Sequence, residues 1–545
     1  MSSLEELAEL GERLAATKKK LEHAALIGAY LQALPPDEIE IAARLLIGQI
    51  FPEGDPRLLN VSGAAIERAL EQTLGGTPVF AGIDRAVDFG DAVAKALTKR
   101  GHTRAGAPLT IDEVYRAYAE IAGLSGEGSR EQKDARLREL FVRASPLEAK
   151  YIVKHLTREM RVGVNAGALL DALARTTGIE GETIRRAHQF TGDIGAVARA
   201  ALAGGATALK NLKPRVGHPL QPMLAQSAKD IAEAFEKMAG ASFALEYKLD
   251  GARVQIHKHG DAVKIFSRHL SELTESIPEI VDEARREIRA RDAIVEGEVI
   301  AWTAEGRPRP FQDLMRRIGR ERNVIPMQRE IPIKLFLFDL LYRDGALLID
   351  RPNTARWDAL GEVCGSIARV ERVVPRDLAE GEQFLMRARA AGHEGVMAKN
   401  LASPYAPGER GKHWLKIKPV ITLDLVIVAA EWGYGRRTGW LSNVHLAARD
   451  EESGELLEVG KTFKGLTDAE FKTLTEKLLA LQTRETRGTV WVKPHIVVEV
   501  AFNNVQASPR YRSKVALRFA RVVRFRDDKS VNEIDTVQTL RGLMQ

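Results

Sequence analysis

Between residues 246 and 253 the chain reads Glu246-Tyr-Lys248-Leu-Asp250-Gly-Ala-Arg253, two acids, two bases and a glycine in eight positions. The pattern Lys-x-Asp-Gly-x-Arg fixes four identities, and average composition yields it by chance in a chain this long on the order of once in a few hundred. Lys248 is then either a solvated strand charge or a nucleophile. As a nucleophile it must lose its proton, which calls for a pKa depressed by neighbouring cations, a bound metal ion or partial desolvation. Arg253 and Arg268 are the candidate cations. An amine that attacks phosphorus forms a phosphoramidate, a covalent link to a nucleotide that stays reactive. That step needs charge neutralisation on the phosphate oxygens more than it needs a general acid or base, which predicts a divalent metal and several Lys or Arg around the phosphate.

The later segments supply such parts in order. Glu296-Gly-Glu298 and His393-Glu394-Gly offer isolated carboxylates for a hard cation that keeps its waters. Trp414-Leu-Lys416-Ile-Lys418 places two lysines on one strand face, since residues two apart point the same way. Phe338, in Phe338-Asp339-Leu-Leu-Tyr342, reads either as core or as a ring that stacks on a nucleobase. Each of these segments alone reads more simply as solvated strand charge or, for Phe338, as core.

Three regions must position them. Residues 1 to about 203 carry apolar positions at helical spacing, such as Ile41, Leu45, Leu46 and Ile50, with helix starts at Thr110-Ile-Asp-Glu and Ser145-Pro-Leu-Glu. A Gly- and Pro-rich stretch at about 204–222 reads as a linker. Beyond it, alternation in Ala252 to Arg268 around His259-Gly-Asp reads as a hairpin, Ala293–Trp302 and Ile333–Tyr342 as buried strands, and Ser276–Arg291 and Glu380–Ala391 as helices. After Lys418 the chain is strand-dominated, with Asp424–Glu431, Val444–Ala448, Thr489–Phe502 and Leu517–Arg526 as strands and a helical piece near Asp468–Leu481. About five strands and a helix suit a small Greek-key barrel of the OB type, although an SH3-like barrel would look similar.

Composition sets the frame. The chain has 545 residues, 45% hydrophobic and 6% aromatic, too long for one core and too apolar for a disordered tail. Cys364 is the single cysteine, so an intramolecular disulfide and a cysteine-rich zinc module are excluded. Without a signal-peptide pattern or a long uncharged apolar run, the expected location is cytoplasmic, with no membrane partner. The 80 basic and 74 acidic residues leave a net charge of +6. From Arg510 to Lys529, Arg510, Arg512, Lys514, Arg518, Arg521, Arg524, Arg526 and Lys529 stand against Asp527 and Asp528. This one segment therefore carries a charge equal to the whole surplus and reads as a phosphate-facing strip.

The ordered set resembles the ATP-dependent DNA ligases of the three-domain archaeal and eukaryotic-like type, over essentially the whole chain. Lys248-Leu-Asp250-Gly-Ala-Arg253 is similar to the family's first nucleotidyltransferase motif, Ser267-Arg268-His269 to the adjoining one, and Val295-Glu-Gly-Glu298 to the third, with Phe336-Leu-Phe338-Asp339 as its aromatic companion. Glu394-Gly-Val-Met-Ala-Lys399 resembles the fourth motif, Trp414-Leu-Lys416-Ile-Lys418 the fifth, and Arg518-Phe-Ala-Arg521 through Lys529 the sixth. The resemblance implies a multidomain fold: an all-α DNA-binding domain over 1–215, an α+β nucleotidyltransferase (adenylation) domain over 216–418 and a C-terminal β-barrel OB-fold over 419–545. It implies that Lys248 takes AMP from ATP, that Glu246 reads the adenine amino group, that Phe338 stacks on the base, and that Arg253 and Glu298 contact the ribose. Arg268, Arg410, Lys416 and Lys418 would hold phosphates, and Glu298 and Glu394 would place Mg2+ or Mn2+.

By the same resemblance, AMP would then pass to the 5′-phosphate of a nick in duplex DNA and the 3′-hydroxyl would displace it, the chemistry of replication, repair and recombination. Arg518, Arg521 and Lys529, with Arg158 and Arg161 of Leu156-Thr-Arg158-Glu-Met-Arg161-Val-Gly163, would face DNA or phosphate, with Lys529 assisting the first step. A monomer suffices to enclose duplex DNA. Two features depart from the family pattern: Ala520 stands where proline is common, and no glutamine-led motif ending in paired aromatics provides a tether to a sliding clamp. The competing readings are an RNA ligase or an RNA-capping nucleotidyltransferase, neither of which usually carries such a helical domain, and a non-enzymatic DNA-binding scaffold. A NAD-dependent DNA ligase is disfavoured for want of its four-cysteine zinc module.

Overall fold

Helix starts in the first third follow from side chains that satisfy free backbone N–H groups. Ser3 with Glu6, Thr110 with Glu113 and Ser145 with Glu148 each form a reciprocal capping box, typically contributing about 1 kcal/mol per cap. The computed structural model describes residues 2–80, 88–238, 240–318, 324–418, 421–486 and 488–544. The helix Ile111–Gly123 buries Ile111, Val114, Tyr118 and Ile121 along one face. Pro146–Thr157 is buried almost all round, from Glu148 to Leu156, as the central member of a bundle must be. A single apolar core joins Leu4 to Leu209.

That core corrects the linker reading at its start. Ala200–Gly204 forms a π-turn and Gly205–Asn211 a helix whose Leu209 is buried. Two glycines hid this element, since about two turns offer too few apolar positions to show a period. Phe190 reaches out of the bundle to pack with Leu220, Met223, Tyr405 and Trp414. Around it Arg186 pairs with Asp350 at 2.7 Å and Gln189 bonds Glu409 at 3.0 Å.

The middle region builds two sheets from β1 (Leu224–Ala228), β2 (Phe243–Lys248), β3 (Ala252–His259), β4 (Ala262–Ser267), β5 (Asp292–Ala301), β6 (Ile333–Arg343), β7 (Ala346–Leu347), β8 (Ala368–Arg369), β9 (Arg372–Val373), β10 (Gly395–Asn400) and β11 (Arg410–Ile417). One sheet runs β1-β11-β10-β2-β9, and the other β4-β3-β5-β6-β7 with β8 alongside β6. The helices Pro278–Glu287 and Leu378–Ala390 cover them, close to the sequence expectation. Apolar runs such as Ile333–Arg343 are buried on both faces, which is why they show no alternation.

The C-terminal region forms a sheet of β12 (Ile421–Trp432), β13 (Leu441–Arg449), β14 (Leu456–Thr462), β15 (Gln482–Thr486), β16 (Thr489–Val492), β17 (Val497–Phe502) and, after a hairpin of β18 (Asn504–Ala507) with β19 (Val515–Arg518), β20 (Arg521–Phe525). This is more than the five strands expected. Thr489–Phe502, read as one strand, breaks at Lys493-Pro494, because proline cannot donate to a ladder. The long β12 pairs with β17 through its first half and with β16 through its second, so one strand serves two edges as the sheet curls. The helix Asp468–Ala480 buries Phe471, Leu474 and Leu478 against it.

Candidate nucleotide site

Lys248 is the last residue of β2, where the chain turns through Leu249-Asp250-Gly251 into β3. A Cβ on Gly251 would lie 2.3 Å from the Val299 carbonyl oxygen, so only glycine lets this turn lie against β5. Gly297 serves similarly, its absent Cβ leaving room for the Phe336 carbonyl of β6. The glycines of two motifs thus set the distance between the lysine and its neighbouring carboxylates.

A cleft of about 970 Å³ opens beside Lys248, lined by both sheets and by the barrel. It gathers Glu246, Arg253, Arg268, Glu298, Phe338, Glu394, Arg410, Lys416 and Lys418 with Lys248. Arg518 and Arg521 line it from the barrel, joined by Lys464, which the sequence reading did not single out. Arg158 and Arg161 lie elsewhere, exposed on a tight turn after Pro146–Thr157 where both have left-handed backbones, φ 57° and 50°. Arg161 pairs with Glu159 at 2.7 Å. Lys529 is not at the cleft either: it bonds Asp424 at 2.6 Å, as does Arg526 at 2.8 Å. Phe519, between the two cleft arginines, also has a left-handed backbone, φ 55°. A proline at 520 would disfavour that conformation, and Ala520 does not.

The electrostatics around Lys248 reverse one expectation. Its ammonium bonds Glu394, which also takes Lys418. Burial works to lower the Lys248 pKa, but Glu394, Glu298 and Asp250 together hold it above the usual lysine value. Arg253, one of the cations expected to depress it, is turned aside: it donates to Glu296 at 2.7 Å and to the Met223 carbonyl at 2.7 Å. Glu296 is therefore a buried partner of Arg253 rather than a free carboxylate. Burial, reinforced by Glu394, raises Asp250 to about 6, and burial raises Glu298 to about 7 against the pull of Lys248 and Arg253. Glu394 is held below the normal range because its two lysines outweigh its burial.

The far end of the cleft is built around Glu246, buried on β2 and paired with Lys399 at 2.6 Å and Arg372 at 3.3 Å. The Lys399 ammonium lies 4.6 Å from the Phe338 ring centre and 4.4 Å from that of Trp414. Phe338 stands mid-strand in β6. Behind it Asp339 grips Arg356 through two bonds of 2.7 and 3.1 Å, both residues fully buried. Arg372 and Arg356 come from segments with no recognisable motif, and nothing in the sequence singled them out. Among the described residues no three acidic or histidine side chains converge on a ready-made cation site.

The three regions, with a lysine lining a cation-rich cleft shared by two sheets and a barrel, define a multidomain enzyme of the nucleotidyltransferase kind. Comparison with known proteins is more specific. The model described as DNA ligase N terminus matches residues 3–174, that described as ATP dependent DNA ligase domain matches 222–418, and that described as ATP dependent DNA ligase C terminal region matches 437–529. The chain is 43% identical to DNA ligase 1 of Korarchaeum cryptofilum over 99% of its own length and 98% of the relative's, and 41% identical to the DNA ligase of Thermococcus fumicolans over 99% and 97%. The solved structure Pmar-Lig_Pre shares the fold, with a TM-score of 0.55 at 18% identity over 96% of this chain and 99% of that one. The chain belongs to the ATP-dependent DNA ligases, the enzymes that use ATP to seal nicks in DNA.

Proposed function

We propose that sealing proceeds through a lysyl-AMP on Lys248, with the cleft residues in the following roles. The Lys248 amine attacks the α-phosphorus of ATP, a P–N bond forms, the bond to pyrophosphate breaks and the amine proton leaves. Arg268, Arg410, Lys416 and Lys418 hold phosphate oxygens, Arg253 and Glu298 address the ribose, Phe338 stacks on the base, and the Glu246 carboxylate accepts from the adenine amino group. In the second step the 5′-phosphate oxygen of the nick attacks the same phosphorus, the P–N bond breaks and the lysine recovers a proton. In the third the 3′-hydroxyl attacks the 5′-phosphorus and AMP leaves.

Glu298 and Glu394 are oxygen donors of the kind that hold Mg2+ or Mn2+ together with substrate phosphates and water, and such an ion needs only one or two protein carboxylates. When bound it would neutralise charge on the phosphate. Arg518, Arg521, Arg158 and Arg161 are assigned to DNA or phosphate. Lys529 is assigned to the first step, which requires it to leave Asp424. The chain acts as a monomer. The single buried cysteine suits a reducing cytoplasm, and among the described residues no helix is long and apolar enough to cross a membrane.

The observation that carries this reading is the placement of Lys248 at the junction of a carboxylate pocket and a lysine–arginine cleft. ATP labelled at the α-phosphate tests it. Label should appear on the protein with magnesium and leave it when nicked duplex is added, as sealed product forms. Lys248→Ala should take up none. Labelling of that variant, or a covalent adenylate that never reaches DNA, contradicts the assignment.

A further inference from the structure

Glu246 stands between two cations, and the second has a support of its own. In the ladder of β2 with β9, Glu246 lies directly opposite Arg372, so the two side chains share a face. Each Glu246 oxygen has its own cation: Oε2 faces Lys399 at 2.6 Å and Oε1 faces Arg372 at 3.3 Å. The other arm of Arg372 donates to Asn353 Oδ1 at 2.8 Å, and Asn353 is 1% exposed. The guanidinium lies 4.4 Å from the centre of the Trp357 ring, within cation–π range. Arg372 is therefore fixed at three points, two of them on the helix Asn353–Val363, which itself takes no part in lining the cleft.

We infer that Arg372, held by Asn353 and Trp357, is a positioning residue that sets the choice of purine through Glu246. The inference rests on the proposed contact between Glu246 and the base. An ionised carboxylate only accepts hydrogen bonds. It suits the 6-amino group of adenine and opposes the carbonyl that guanine presents at the same place. Such discrimination requires the oxygens to stay where the amino group arrives, because a carboxylate free to rotate lets a second purine find another pose. Lys399 fixes one oxygen from within the cleft and Arg372 fixes the other from behind. Arg372 also borders a second cavity of about 610 Å³, open to solvent and lined by Trp357, Thr354 and Asp358. A shorter side chain at 372 therefore opens onto water rather than leaving a sealed void.

The test is lysyl-nucleotide formation by the full chain with ATP or GTP, each labelled at the α-phosphate. For Arg372→Met the KM for ATP should rise about tenfold while the rate at saturation changes less than about threefold, and the preference for ATP over GTP should fall about tenfold or more. Arg372→Lys, which keeps a cation but cannot bridge Glu246 and Asn353 together, should lie between. If Arg372→Met does not fold, the Lys variant carries the same expectation at smaller amplitude. Unchanged KM and unchanged preference in folded Arg372 variants overturn the inference, as does a fall in the saturated rate with KM and preference untouched. Glu246→Gln separates the two levels. If it alone relaxes the preference, Glu246 reads the base without help from Arg372; if it leaves the preference intact, the base contact itself is wrong and the inference falls with it.

Discussion

His155 and His257 are buried with no acidic counter-charge acting on them among the described residues, and each makes stability depend on pH. Burial pushes His155 to about 4, only partly offset by a backbone hydrogen bond at Leu45, and pushes His257 to about 3, with His218 and Lys264 adding in the same direction. In the unfolded chain both titrate near about 6.5. Between the folded and unfolded values the unfolded chain binds more protons, so stability rises with pH across that window. Their contribution is complete above about pH 6.5 and is lost as pH falls toward 4 for His155 and 3 for His257. The two histidines should therefore pull the thermal midpoint down between pH 7 and pH 5, against Asp250 and Glu298, whose raised values of about 6 and about 7 make the folded chain the better proton binder in the same interval. A variant with His155→Phe and His257→Gln should lose that downward component, so that its midpoint rises relative to that of the parent chain as pH falls from 7 to 5. Equal slopes for the two proteins would remove the histidines as the cause. The same logic of burial acts at Lys248 with the opposite result, because there three carboxylates face the buried charge.

At the scale of the element, a single glycine decides how the barrel closes on the cleft. Gly465 has φ 104°, and a Cβ there would lie 1.9 Å from the Val522 carbonyl oxygen. The adjacent Lys464 carbonyl accepts from the Val522 N–H at 3.0 Å, so the turn that carries Lys464 is stitched to β20 beside Arg521. Gly465→Ala should cost about 2 kcal/mol or more, from the backbone conformation and the clash together, and should lower sealing as the cleft wall shifts. Gly454→Ala is the control, since φ is 71° but nothing lies within 4 Å; its cost should stay near about 1 kcal/mol with sealing unaffected. Thermal melting of both variants checks the difference, and equal costs would mean that packing against β20 is not what requires glycine. Elements of this kind were partly legible in the sequence. The β3–β4 hairpin was, because alternation and a His-Gly-Asp turn are local signals, and so were the capped helices at Thr110 and Ser145. The split of Thr489–Phe502 and the double pairing of β12 were not, because pairing partners far along the chain leave no local pattern. For the same reason the motifs gave the members of the cleft but not the sign of the charge around Lys248. Glu394 stands 146 positions away, and the path of Arg253 toward Glu296 depends on a turn that only the fold supplies.

Across the whole molecule the surplus of positive charge has an address, but only part of it is available to a polyanion. In the segment Arg510–Lys529, Arg512 pairs with Glu455, Arg524 with Glu499, and Arg526 and Lys529 with Asp424. Arg518 and Arg521 make no such pair among the described residues and line the cleft with Lys464. The strip read from the sequence is thus divided: four of its charges are matched within the barrel, two turn toward the nucleotide domain, and Arg510 and Lys514 are exposed outside the cleft. Removing one side chain that neutralises a DNA phosphate should reduce the dependence of log affinity on log salt by about 0.9 for duplex DNA. Binding of nicked duplex should therefore weaken for Arg518→Ala and Arg521→Ala, with the slope falling by about one unit in each, by about the same factor for any sequence around the nick. Arg524→Ala should leave the slope where it was, because removing a charge already matched by Glu499 releases no further counterions from DNA. Titrations across a range of salt concentrations decide between this arrangement and a uniformly basic face. A weakening at Arg524 as large as at Arg521 would mean that pairing within the barrel does not withhold charge from the DNA, and the division of the strip would fail.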